Sequence, residues 1–136
     1  MDAFDADVLI YAGVPEHPLG RRVRSLLAVE PGAVAGVGSV LLLPEVLAKP
    51  MRDQASDEVA TLAGLLSRLD LWPIDAMTAE VATSLAAAYR LRAVDAVHLA
   101  TAVVSGADRF VTNNRRDFPT TIAEVQVTYP VDLDTP

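Results

Sequence analysis

The chain has 136 residues, 51% of them hydrophobic and 5% aromatic, with a formal charge of −7 from 18 acids against 11 bases. That length holds one domain with a self-sufficient core, and a mean hydropathy of +0.31 excludes a disordered chain. With no cysteine and only two histidines, disulfide scaffolds, thiolate chemistry and histidine-rich metal cages are excluded, and any cation must take oxygen ligands, which suit magnesium or manganese.

A short strand over residues 3–5 leads into an apolar patch at 8–11 that begins a helix. Helical spacing continues through 21–29 and stops at Pro31-Gly32. Residues 33–37 have the short, continuously apolar composition of a buried parallel strand. Ser39 offers an N-cap to an apolar helix reaching Arg52, and Ser56 caps a third helix in which Val59, Leu62, Leu65, Leu66 and Leu69 recur at helical intervals. A strand at 71–74 and an Ala-rich helix at 78–90 follow. The helix predicted at 94–104 is apolar nearly all round and therefore buried. Strands at 109–112 and 125–129 close the pattern, and residues 131–136 read as a frayed tail.

Strands alternating with helices in this way predict an α/β chain, a three-layer α/β/α domain over residues 1–130 with a central parallel sheet. No internal repeat or interior linker divides it. Asp2 and Asp5 stand where a secretory leader would be basic. The longest uncharged run, between Glu30 and Glu45, is too short for a bilayer and carries Gly32, Gly36 and Gly38. The expectation is a soluble, cytoplasmic chain without membrane contact.

In open parallel sheets, ligands collect beyond the carboxyl ends of the strands. Polar residues fall at those ends in four places. Asp5 and Asp7 close the first strand, and Ser39 and Glu45 follow the second. Asp95 opens the buried helix, and Thr112, Asn113, Asn114 and Asp117 follow the strand at 109–112. Each has a plainer reading. Asp5, Asp7 or Asp95 can be helix caps, Glu45 can pair with Lys49 one turn on, and Thr112-Asn113-Asn114 can be a turn. Glu45 lies inside an apolar run, where a partly buried carboxylate needs a partner. His98, one turn after Asp95, reads as a hydrogen-bonded core residue. The force of the argument lies in four clusters meeting on one edge.

The four stretches also resemble a known set. Asp5-Ala6-Asp7-Val8-Leu9-Ile10-Tyr11-Ala12 resembles the first motif of PIN-domain nucleases, and Ser39-Val40-Leu41-Leu42-Leu43-Pro44-Glu45-Val46-Leu47-Ala48 the second. Val94-Asp95-Ala96-Val97-His98-Leu99-Ala100-Thr101-Ala102 is similar to the third, and Phe110-Val111-Thr112-Asn113-Asn114-Arg115-Arg116-Asp117-Phe118 to the fourth. At this size the resemblance is to VapC-type toxins of prokaryotic toxin–antitoxin pairs. It implies a Mg2+- or Mn2+-dependent ribonuclease that cuts RNA, a cognate VapB-like antitoxin covering the active site, and a homodimer. Asp5, Glu45 and Asp95 match the family's acidic metal positions. At the fourth position Asn114 stands where the family often has Asp, with Asp117 three residues on, and Asp7 stands where the family often has Asn or Ser.

The chemistry suits these residues. Crowded carboxylates repel until a divalent cation neutralises them, and that cation can activate a water and offset charge on a leaving oxygen. A metal bridging acids to phosphate also answers the objection that a chain of charge −7 lacks the basic surface that nucleic acid needs. Thr112 and Asn114 are candidates to orient a water or phosphate oxygen, and Arg115 and Arg116 to meet phosphates. Arg21 and Arg24 share a helical face open to RNA, antitoxin or solvent, and Tyr11 and Tyr89 are either stacking groups or core. The alternatives are a catalytically silent partner-binding relative, which Asn114 favours, and a receiver-like phosphoacceptor or an aspartyl phosphatase. Those last two need a late lysine, and the only lysine is Lys49.

Overall fold

The structure is a computed structural model describing residues 1–136. Five strands form one parallel sheet: β1 (Asp2–Phe4), β2 (Gly36–Ser39), β3 (Leu69–Trp72), β4 (Arg109–Val111) and β5 (Gln126–Thr128), in the order β3-β2-β1-β4-β5. Six α-helices connect them: α1 (Ala6–Ala12), α2 (Pro18–Leu27), α3 (Leu42–Arg52), α4 (Ser56–Leu66), α5 (Ala76–Tyr89) and α6 (Ala93–Val104). This is the three-layer α/β/α arrangement expected from the alternation of elements.

Two cores lie on the two sheet faces. Leu9, Val23, Leu42, Leu62 and Leu65, from α1 to α4, pack with Phe4 and Val111. Leu85, Leu99 and Ala100, from α5 and α6, pack with Ala3, Phe110 and Val127. Adjacent strand residues such as Ala3 and Phe4 thus serve opposite layers, as strand alternation requires.

Several boundaries differ from expectation. The second strand lies at Gly36–Ser39, later than the apolar run at 33–37. A Cβ on Gly36 would stand 2.5 Å from the Asp2 carbonyl oxygen and 2.6 Å from the Phe4 ring, so this strand needs glycine where propensity disfavours it. Ser39 ends the strand; its Oγ accepts from the Leu41 N–H at 3.1 Å, and the helix starts three residues on. Ser56 is the first residue of α4, not its cap, and α5 is capped by Asp75, whose carboxylate accepts from the Thr78 N–H at 2.9 Å.

The tail does not simply fray. Pro130–Asp132 forms a 3-10 turn, Leu133 is buried, and Arg22 donates to the carbonyls of Val131 and Leu133 at 2.7 and 2.8 Å. No helix is long and apolar enough to cross a membrane.

Because every strand is parallel, all carboxyl ends share one edge. The chain builds outward from β1 to β2 and β3, then returns to place β4 on the other side of β1. The switch point therefore falls between β1 and β4, where such sheets open a crevice.

Candidate active site

Asp5 follows β1 and caps α1, its Oδ1 accepting from the Ala6 N–H at 2.8 Å. The Thr112 hydroxyl, beyond the end of β4, donates to Asp5 Oδ2 at 2.8 Å. Asp7, in the first turn of α1, accepts at Oδ2 from the Asn113 N–H at 3.0 Å, while its Oδ1 is buried with no partner. Two adjacent strand ends are thereby tied by two acids, 107 and 106 residues away in sequence from their partners.

The loop after β4 holds itself by a reciprocal clasp. Asn114 Nδ2 donates to Asp117 Oδ2 at 2.9 Å, and the Asp117 N–H donates to Asn114 Oδ1 at 3.1 Å. The Asn114 N–H in turn donates to Thr112 Oγ at 3.1 Å. Thr112 is wholly buried, so its hydroxyl serves Asp5 and the loop rather than a water or a phosphate. Asn114 and Asp117 therefore stand side by side in the loop after β4.

Asp95 lies in the first turn of α6 and caps nothing; Arg92 occupies the cap position without a side-chain bond. Glu45, in the first turn of α3, is more exposed than its apolar neighbourhood suggested. Its carboxylate meets Nε2 of His98, which is buried in α6. The pairing of Glu45 with Lys49 does not form, because Lys49 bonds Asp53 at 3.0 Å on the outer face of α3. No lysine therefore reaches the acids, and the receiver and aspartyl-phosphatase readings lose the cation they require.

The electrostatics report convergence. Burial pushes the Asp5 carboxyl up, with Glu45 adding repulsion and His98 and Thr112 opposing it. Asp7 is raised to about 7, by burial first and then by the charges of Asp5 and Asp95. Asp95 is raised by burial and then by Asp5, Asp117 and Glu45. Asp5, Asp7 and Asp95 are thus raised by burial first and then by neighbouring carboxylates, which places these acids in one electrostatic neighbourhood.

No three of these acids and imidazoles are placed as a closed ligand set for one cation. Several already have partners: Asp5 bonds Thr112, Glu45 meets His98 and Asp117 bonds Asn114. The donor chemistry still fits a hard cation. The ligands are oxygens, they repel one another, and Asp7 keeps one buried oxygen unsatisfied. Asp5 lies buried at the base of this edge, Asp7, Asp95 and Asp117 are half-buried, and Glu45 is exposed at its rim.

The basic and aromatic candidates divide. The Arg115 guanidinium lies 4.3 Å over the Tyr129 ring, and Arg116 is exposed. Arg24 donates to the carbonyls of Ala12, Val14 and Pro15 at 2.7, 2.9 and 2.7 Å, so it pins the turn after α1, and only Arg21 remains solvated on that face. Tyr11 stacks on His17 at 4.6 Å, and Tyr89 bonds Glu124. Sequence reading assigned no task to Asn113 or His98 in the site. A backbone N–H donor such as that of Asn113 leaves no signal in residue type, and a single histidine on an apolar face gives only a weak one.

An all-parallel α/β/α domain with carboxylates gathered at its switch point defines a PIN-like class of protein. The PIN domain profile matches residues 3–122, and the chain belongs to the PIN domain family. PIN domains are generally nucleases, and they generally use divalent metals. Among solved structures, the chain is similar to one from a toxin–antitoxin complex of Klebsiella pneumoniae, at 25% identity and a TM-score of 0.72, covering 96% of this chain and 98% of that one. It shares its fold with a chain of VapBC2 from Rickettsia felis bound to a DNA fragment from their promoter, at 17% identity and a TM-score of 0.72, covering 94% and 97%. No curated protein matches the sequence.

Proposed function

We propose that this protein is the VapC-type toxin of a type II toxin–antitoxin pair, a Mg2+- or Mn2+-dependent endoribonuclease that hydrolyses RNA phosphodiesters in the cytoplasm. The observation that carries the reading is the crowding of acids at the β1/β4 switch point of a PIN domain, where Asp5, Asp7 and Asp95 are raised by burial and then by repulsion from neighbouring carboxylates. Such repulsion costs stability unless a cation relieves it, and an acidic protein meets an anionic polymer through that cation.

Asp5, Asp95 and Glu45 would hold the ion, with Asp117 closing the fourth corner through its clasp with Asn114. A bound divalent cation supplies a coordinated water of lowered pKa and neutralises charge on the departing oxygen. Thr112 keeps Asp5 oriented by its hydroxyl, and Asp7 braces the loop after β4 through the Asn113 N–H. Exposed Arg116 is available to a phosphate, whereas Arg115 is engaged on Tyr129. The likeness to a toxin–antitoxin complex supports a VapB-like antitoxin as partner; its seat over this edge and a homodimer of the toxin are part of the proposal.

The test is cleavage of labelled RNA by the purified chain. Cleavage should require Mg2+ or Mn2+ and should fall at least about 100-fold in Asp95→Asn, with the far-ultraviolet spectrum unchanged. Millimolar metal should also raise the Tm of the wild type. The absence of three acids in one ligand set favours a second reading, a silent PIN-like partner-binding protein. Unchanged Tm in metal, with no cleavage, would select it.

A further inference from the structure

We propose that His98 is a positioning residue that holds the Glu45 carboxylate over the acidic edge, and so sets how tightly a divalent cation binds there. The proposal rests on the reading of this edge as a cation site. Glu45 belongs to α3, which packs in the core on one sheet face, and His98 to α6, in the core on the other. Their contact is the one side-chain hydrogen bond between the two helical layers. The His98 side chain is 1% exposed while that of Glu45 is 36% exposed, so the fixed member aims the free one.

A glutamate at a solvent rim samples many rotamers, and a ligand must first gather it from them. A buried imidazole removes that step by presenting one N–H in one place. An ionised carboxylate accepts only, so Nε2 carries a proton and donates to Glu45. Nδ1, on the other side of the ring, is buried with no hydrogen-bond partner. A histidine kept only for the fold would satisfy both nitrogens. This one leaves one buried nitrogen unsatisfied, while the other holds a carboxylate in place; hydrogen bonds of that second kind orient metal ligands.

A double-mutant cycle on the full chain decides the matter, with Mn2+ alone as the probe and its affinity read by calorimetry or by the resonance of free Mn2+. His98→Leu should weaken Mn2+ binding about 10- to 100-fold, with the Tm of the metal-free protein unchanged or raised because an unsatisfied nitrogen is gone. Adding His98→Leu to Glu45→Gln should cost nothing further. If the leucine variant does not fold, His98→Gln, which keeps a donor near Nε2, enters the same cycle and should lie closer to the wild type than to Glu45→Gln. Equal or tighter Mn2+ binding in the variant, or losses that simply add, would overturn the positioning role. So would a lower metal-free Tm with unchanged affinity. A wild type that binds no Mn2+ would instead overturn the reading of the edge itself.

Discussion

Thr112 Oγ donates to Asp5 Oδ2 at 2.8 Å, and both residues are buried at the carboxyl ends of neighbouring strands, β4 and β1. The hydroxyl is thus part of what keeps a buried carboxylate ionisable, since burial raises Asp5 and this bond lowers it. Thr112→Val preserves shape and removes the donor. It should cost about 1–3 kcal/mol in urea denaturation at neutral pH, and it should move the acid limb of the RNA-cleavage profile to higher pH. Thr112→Ser, which keeps the hydroxyl, should restore both. A valine variant with an unshifted profile would show that Asp5 does not depend on this bond.

The raised acids make metal-free stability depend on pH in a definite direction. Asp7 is raised to about 7, and Asp5 and Asp95 are raised as well, against about 3.9 for Asp in an unfolded chain. The native state therefore binds protons more tightly than the unfolded state, and stability falls as pH rises from about 4 towards 7. The loss is on the order of a few kcal/mol, read as urea midpoints in chelator. Asp75 and Asp108 are lowered and act in the opposite sense, but they are fully exposed and screened. Asp7→Asn should reduce the slope without abolishing it, since Asp5 and Asp95 remain raised, and millimolar Mn2+ should flatten it in the wild type. A stability that rises across this window would contradict the crowding of these carboxylates.

Asn114, an amide at a position where the sequence resemblance suggests an acid, donates to Asp117 at 2.9 Å. Asn114→Asp removes that donor and sets two carboxylates face to face. The metal-free protein should lose about 1–2 kcal/mol at neutral pH, while the Tm increment produced by Mn2+ should grow because a further oxygen ligand is present. Differential scanning with and without Mn2+ measures both. A smaller increment would indicate that Asp117 fills the corner only while Asn114 clasps it.

The layered α/β plan was legible in sequence because alternating apolar periodicities and turn residues are local properties. Helix α6 was read almost to the residue, because an all-apolar helix can only be buried. The second strand was placed early because its first residue, Gly36, answers to the Asp2 carbonyl and the Phe4 ring, neighbours contributed by another strand. Leu133 and Arg22 escaped for the same reason, since what holds the tail is carbonyls meeting a distant guanidinium.

Residue type and order by themselves determined that any cation here must meet oxygen ligands, and that Asp5, Glu45, Asp95 and the Thr112–Asp117 stretch belong at strand ends and helix starts. Which acid faces which partner was decided only by the tertiary structure. Thr112 binds Asp5, the Asn113 N–H binds Asp7, and His98 reaches Glu45 from the opposite helical layer. Hydrogen bonds act over about 3 Å, and only the folding of parallel strands around one switch point brings groups so distant in the chain within that range.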